Sequence, residues 1–317
     1  MSTISEEKPL EVGTSASQFA SKNIAIGVLL AIVGSVAFSG KAIIVKLAYR
    51  HGVDAVTLIM YRMLFALPLF VGMGWWASRG REPLSRQDWL GVLGLGFCGY
   101  YLASFLDFMG LQYISASLER LILYLNPTLV LLLGWLLYGR RVKALQALAM
   151  AVSYAGILLV FAHELDLDGA QTALGALLCF GSAATYAIYL VYSGELVSRL
   201  GSLRLVGLAT TVACLCCILQ FLLLRPLSAA LVASPVLWLS LLNATLCTAV
   251  PVLLVMMAIE RIGAGVAAQT GMVGPLSTLV MGVLILDEPF NVWIIVGTAL
   301  VLGGVYLVSL AARTDKH

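Results

Sequence analysis

The chain has 317 residues, 61% of them hydrophobic and only 11% charged, with a mean hydropathy of +0.99. Soluble domains run near 45–50% apolar and about 25% charged, and a soluble fold of this size cannot hide the excess. This excludes a cytosolic enzyme and a disordered chain, and the net charge of +3 is too small to draw nucleic acid. What remains is an all-α integral membrane protein.

Residues 1–23 are polar and lack the basic start and cleavage site of a signal peptide, so a disordered cytoplasmic tail is expected there. Ten apolar stretches follow, at 24–48, 54–77, 88–111, 115–138, 142–162, 171–192, 203–224, 234–258, 262–286 and 291–311, before a second tail at 312–317. Each has the roughly 20 residues or more that a helix needs to cross about 30 Å of hydrocarbon. The strict alternation of β-barrel strands is absent. Trp75, Trp76, Trp89, Tyr113, Trp238 and Trp293 sit at span ends, as in an interfacial belt. With the N-terminus inside, thirteen of the nineteen Lys and Arg residues fall in cytoplasmic segments, whereas the outer loops hold Arg50 and Arg225 and an acidic segment at 163–168. That asymmetry predicts ten spans with both termini cytoplasmic.

The six cysteines lie inside apolar runs, without a CxxC pair or a nearby His. The cluster Cys214, Cys216 and Cys217 reads as small apolar filler rather than a soft-metal site, and no metal is expected. Gly94, Gly96 and Gly99 fit GxGxxG but lie inside an apolar helix. The dinucleotide fingerprint needs a strand-to-helix turn, so close helix packing is the better reading. No HExxH, GxSxG or Walker motif occurs, and the absence of a Walker motif and of a soluble domain argues against an ATP-driven pump.

An offset of 148 residues carries Pro127 onto Pro275, Gly134 onto Gly282 and the 114–117 segment (Ile-Ser-Ala-Ser) onto 262–265 (Ile-Gly-Ala-Gly). Gly27 falls on Gly175 and Phe38 on Tyr186. Five helices per half is an odd number, so the second half must be inverted. Two inverted five-helix repeats, at 24–162 and 171–311, with a site between them, are a known transporter plan.

These cues resemble the EamA family of the drug/metabolite transporter superfamily, over about 24–161 and 172–310. They are Phe38, Lys41 and Lys46 in helix 1; Tyr61-Arg62 in helix 2; Leu111 to Ala116 leading into Asn126-Pro127; and, later, Ile262 to Gly265, Pro275 and Asp287-Glu288-Pro289. The family usually has Gly-Glu-Arg after helix 4, and this chain departs from it with Gly139-Arg140-Arg141. The resemblance implies a carrier of amino acids, other small metabolites or drugs, mostly outward, in a bacterial inner (plasma) membrane.

Lys41, Lys46, Arg62, Asp107, Glu119 and Arg120 remain within or at the ends of helices. A charge at bilayer depth costs at least about 2.5–3.5 kcal/mol on insertion scales, so such residues should pair or face water. Lys46 is near enough to the outer end to snorkel. The other five all fall in the outer half of the first repeat. Two readings fit: a site for a charged or zwitterionic solute, or an ion-pair network that staples helices 1 to 4 or closes an outer gate. Tyr100, Ser104 and Asp107 share a face of helix 3. So do Ser117, Arg120, Tyr124 and Pro127 on helix 4, and Ser182, Thr185, Tyr186 and Tyr189 on helix 6. Gln269, Thr270 and Ser277 flank Gly274-Pro275 in helix 9.

The expectation is a secondary active transporter exporting amino acids or related small metabolites by alternating access, with no cofactor beyond a proton carried by Asp107 or Glu119. The expected solute-binding residues are Lys41, Arg62, Tyr100, Ser104, Asp107, Glu119, Arg120, Tyr124, Tyr186, Tyr189 and Gln269. Expected partners are the solute and the lipid bilayer, without nucleic acid; a homodimer is one option for assembly. Within transporters the alternative is a drug or nucleotide-sugar-type carrier. Outside them it is an integral-membrane enzyme acting on a lipid or isoprenoid, which would want acidic or His clusters at a cytoplasmic face.

Overall fold

The computed structural model describes the backbone of residues 12–139 and 144–314, with side chains at 12–23, 166–168, 195, 264–265, 268–269 and 308–314 outside the description. Among the described residues there are helices and no strands. Eight helices are long and apolar enough to cross a membrane: α1 (Ile24–Tyr49), α2 (Ala55–Ser78), α3 (Arg86–Gly110), α4 (Ala116–Tyr138), α5 (Ala144–Leu165), α6 (Ala170–Gly194), α7 (Ser202–Leu224) and α8 (Ser234–Gly263). Two shorter apolar helices follow, α9 (Val273–Leu286) and α10 (Val292–Leu307). The chain is thus a multi-pass, all-helical membrane protein. Its outer surface is apolar: Trp75, Trp76, Leu223 and Trp238 are 61%, 64%, 74% and 70% exposed, a face that water would penalise and lipid accepts.

Helix ends follow local chemistry. Asp54 caps α2, accepting bonds from Val56 N at 3.0 Å and Thr57 N at 3.3 Å. Ser85 and Asp88 form a capping box at α3. The helix of α1 begins at Val12, inside the segment read as a tail, since no proline interrupts it after Pro9. The acidic segment at 163–168, read as a loop, instead continues the helix of α5 to Asp168. The chain turns at Gly169 (φ 63°). Of the basic residues that set the predicted orientation, Lys8, Arg140, Arg141, Lys143 and Lys316 and the side chains of Lys22 and Arg313 lie outside the described residues.

The offset of 148 residues seen in the sequence recurs in the backbone. A π-helical segment at Gly96–Leu102 in α3 is matched by one at Thr245–Ala249 in α8. The left-handed cap at Gly139 (φ 62°, ψ 20°) is matched at Asp287 (φ 60°, ψ 30°). Pro127 and Pro275, inside the apolar stretches 115–138 and 262–286, sit in the first turn of a new helical piece, where the missing N–H costs nothing. α4 breaks between Leu123 and Asn126, and the helix entering α9 breaks between Thr270 and Val273. Each proline frees the carbonyl four residues back. Leu123 O takes the Asn126 side chain at 2.6 Å, and Gly271 O takes both Ser35 Oγ and Tyr124 OH at 2.7 Å.

Packing follows the same exchange. α1 packs on α8 and α9, α6 on α3 and α4, α2 on α7, and α5 on α10. Swapping each helix for the one five places on maps this set onto itself. Small residues permit the closest approaches: a Cβ at Gly96 would lie 2.6 Å from Ala209 O, and one at Gly99 would strike the Tyr189 ring. That is the packing expected for the GxGxxG segment at Gly96 and Gly99, but a Cβ at Gly94 would meet nothing within 4 Å.

Candidate functional site

Between the helices lies a cavity of about 330 Å³, within the size range of small-molecule sites. Four pairs of positions 148 residues apart line it together: Phe38 with Tyr186, Arg62 with Thr210, Tyr100 with Thr248, and Ser104 with Val252. Both halves of the chain therefore meet at this cavity through equivalent places.

At one end sits an ionic cluster. Lys41 Nζ of α1 donates to Asp107 Oδ2 of α3 at 2.5 Å and to Glu119 Oε1 of α4 at 3.0 Å. The three are 6%, 2% and 0% exposed. Asp107 Oδ1 and Glu119 Oε2 have no further hydrogen-bond partner. The cluster divides two spaces. On one side, Ser35 and Phe38 of α1, Tyr100 and Ser104 of α3, and Leu123 and Tyr124 of α4 line the cavity. On the other, Lys46 and Tyr49, Gln112 and Tyr113, and Ser115 line a polar cleft of about 600 Å³.

Two guanidiniums complete the wall. Arg62 of α2 points both Nε and Nη2 at Thr248 Oγ1, each at 3.2 Å, and lies 5.2 Å from the Phe108 ring centre. Thr248 Oγ1 in turn donates to Asn243 O at 2.8 Å, filling a carbonyl at the π-helical segment of α8. Arg120 of α4 donates to Ser39 Oγ at 2.7 Å and lies over Phe38 and Tyr124 at 5.1 and 6.0 Å. Its Nε has no partner. Tyr100 and Tyr186 add an aromatic wall, backed by Tyr189: the Tyr100 and Tyr189 hydroxyls are 3.1 Å apart and the Tyr186 and Tyr189 rings stack at 5.5 Å.

Of the residues expected to bind solute, Lys41, Arg62, Tyr100, Ser104, Asp107, Arg120, Tyr124 and Tyr186 lie on the cavity wall. Glu119 and Tyr189 lie behind it, against Lys41 and Tyr100. The Gln269 side chain is outside the described residues. Ser117 of the helix 4 stripe turns away from the cavity and bonds Glu288. Ser35, Phe38, Asn126, Thr210 and Thr248 were absent from the expected solute-binding residues but line the wall. The last two could have been found by carrying Arg62 and Tyr100 forward through the repeat.

At the far side of the ionic cluster the halves are also joined. Glu288, just after α9, accepts from Ala116 N at 2.6 Å, Ser117 Oγ at 2.6 Å and Ser117 N at 3.3 Å. Glu164 of α5 pairs with the Ser115 hydroxyl and takes its N–H at 3.3 Å. Two carboxylates thus serve the free N–H groups and positive dipole end of α4.

A multi-pass helical protein with a polar, charged cavity between two like halves has the form of a solute carrier. Comparison with known proteins names the group: the chain matches the EamA-like transporter family over residues 25–162 and 173–310. It belongs to that family, within the drug/metabolite transporter superfamily. It is 30% identical to an uncharacterized transporter, YcbK, of Bacillus subtilis over 90% of this chain and 92% of that one. It is 24% identical to a second, YvbV, over 67% and 68% of the two chains, and 24% identical to an uncharacterized transporter of Archaeoglobus fulgidus over 54% and 58%. A solved crystal structure shares its fold with a TM-score of 0.59 at 21% identity, over 90% of this chain and 98% of the other. Family and relatives point to a transporter and not to an enzyme.

Proposed function

We propose that this protein is a secondary active transporter that moves a small organic solute through the central cavity by alternating access. One observation carries the reading: equivalent positions of the two halves line a single cavity, and an ionic cluster separates it from a polar cleft. The repeated helix breaks, π-helical segments and left-handed caps support ten membrane helices in two inverted five-helix repeats. Broken helices around a central site are the parts that such carriers use. Parting of Lys41 from Asp107 and Glu119 would join cavity and cleft while other contacts close the opposite end.

Export of amino acids or related small metabolites from a bacterial cytoplasm, with both termini inside, is the direction we assign. Asp107, on the wall and bonded to Lys41, is the group we assign to proton coupling, with Glu119 behind it. The test is a metabolite-efflux comparison between cells overexpressing the protein and cells lacking it, repeated with an imposed pH gradient. Overexpression is expected to raise extracellular levels of one solute class, and Asp107→Asn to remove the response to the gradient. Identical extracellular profiles would end the transporter reading; efflux indifferent to the gradient would end the coupling.

A further inference from the structure

We infer that the cavity is built to take a small organic anion, held at its acidic group by Arg62 and Arg120 with its apolar body on the tyrosine wall. The inference rests on the transporter reading for its physiological sense but not for its geometry.

The charge count comes first. Lys41 already holds two carboxylates, Asp107 and Glu119. Arg62 and Arg120 have none: among the described residues neither lies within ion-pair distance of an acid. Arg62 spends two donors on one hydroxyl oxygen, Thr248 Oγ1. Arg120 spends one on Ser39 Oγ, and its Nε bonds nothing. Yet both are about as buried as a core side chain, 6% and 5% exposed. A buried guanidinium without an anion is costly, and arginine presents five N–H donors in a fixed fork that fits carboxylate or phosphate. With its own residues all ionised, the site carries one net positive charge, three cations against two acids. An incoming anion neutralises it; a cation would double the excess.

The rest of the cavity selects the body of the solute. Phe38, Tyr100, Tyr124 and Tyr186 line it with aromatic rings. Ser39, which receives Arg120, is itself fixed by lying 2.8 Å from both Ser35 O and Gly274 O. The fork of Arg120 is therefore anchored at one corner by Ser39, while its buried Nε is left without a partner.

The experiment uses purified full-length protein and a set of probes that differ in one group: 3-phenylpropionate, 3-phenylpropionamide, 3-phenylpropylamine, phenylalanine and phenyl phosphate. Binding is read as a saturable rise in melting temperature in detergent. 3-Phenylpropionate, phenyl phosphate or both are expected to bind, and which one does so assigns the anion to carboxylate or phosphate. The amide and amine are expected to bind at least about tenfold more weakly, the size of one lost charge-assisted bond. Arg62→Gln and Arg120→Gln should each weaken the anion about tenfold or more. Arg62→Lys and Arg120→Lys keep the charge and guard against a fold defect, and should restore binding in part. Preference for the amine, phenylalanine binding tenfold tighter than 3-phenylpropionate, anion binding that survives both Gln variants, or no saturable anion shift would each overturn the proposal. Flux of the same probes in proteoliposomes separates the two readings. Anion binding without flux removes transport and keeps the site, while flux of the amine alone removes the anion site and keeps transport.

Discussion

At positions 148 residues apart, the first half carries Lys41, Arg62, Asp107 and Glu119 where the second carries Tyr189, Thr210, Val255 and Ala267. The backbones around them match, with π-helical segments, proline breaks and left-handed caps in the same register. The second half thus forms these features without the buried charges. The repeated breaks, π-helical segments and caps therefore do not depend on the charges, and a purely stapling role leaves unexplained why only one half has them. The comparison favours solute handling for the cluster and assigns the architecture to prolines, glycines and apolar faces.

The strongest way to break that comparison is at its sharpest pair. Lys41→Met removes the cation from two buried carboxylates, and truncating one partner of such a set typically costs about 3–5 kcal/mol. We expect a large drop in melting temperature together with loss of transport. Tyr189→Phe, at the matching place, gives up the hydrogen bond to Tyr100 and should cost about 1 kcal/mol. Thermal melts and transport assays of both check this, and equal effects would erase the asymmetry.

A smaller effect is expected where the halves meet. Glu288 corresponds to Arg140 in the first half, and its carboxylate caps α4 beside that of Glu164. Glu288→Ala should cost about 0.5–2 kcal/mol, as loss of a helix cap does. Amide exchange should speed up at Ala116 and Ser117, and unchanged protection there would remove the cap from the account.

The smallest effect lies at the surface. Arg225 and Asp54 join the halves at 3.1 Å, with side chains 42% and 34% exposed, so Arg225→Ala should cost at most about 1 kcal/mol. Partial burial pushes the Asp54 carboxyl up, but hydrogen bonds from Thr57 and the Arg225 guanidinium outweigh it and hold it below its usual range. A depressed pKa stabilises the fold above the unfolded value of about 3.9, and that gain is lost as the pH falls through the folded value. The difference between Arg225→Ala and the parent, followed by melting against pH, should shrink on acidification and persist at neutral pH.

The eight long spans were legible because apolar length is a local property, and so were the repeat and the five interior charges. The Glu288 cap was not, because it joins groups far apart in the chain. Thr210 and Thr248 were passed over because one threonine in an apolar helix looks like any other. Ser117 was misread because spacing on a face says which residues travel together, not which neighbour they meet. The wide turns in α3 and α8 left no mark that periodicity can detect.

Those wide turns have a consequence for how such a protein can change over generations. A π-helical segment holds one more residue than the α-helical path it replaces, so each behaves as a tolerated one-residue insertion. Deleting a residue between Gly96 and Leu102 would regularise α3 and leave the helix beyond it facing nearly the same way, whereas a deletion in the regular turns just before Asp107 would swing everything beyond it by about 100°. Asp107 would then leave the face that meets Lys41. The wide turn is thus a place where α3 can shorten by one residue and still bring Asp107 to Lys41.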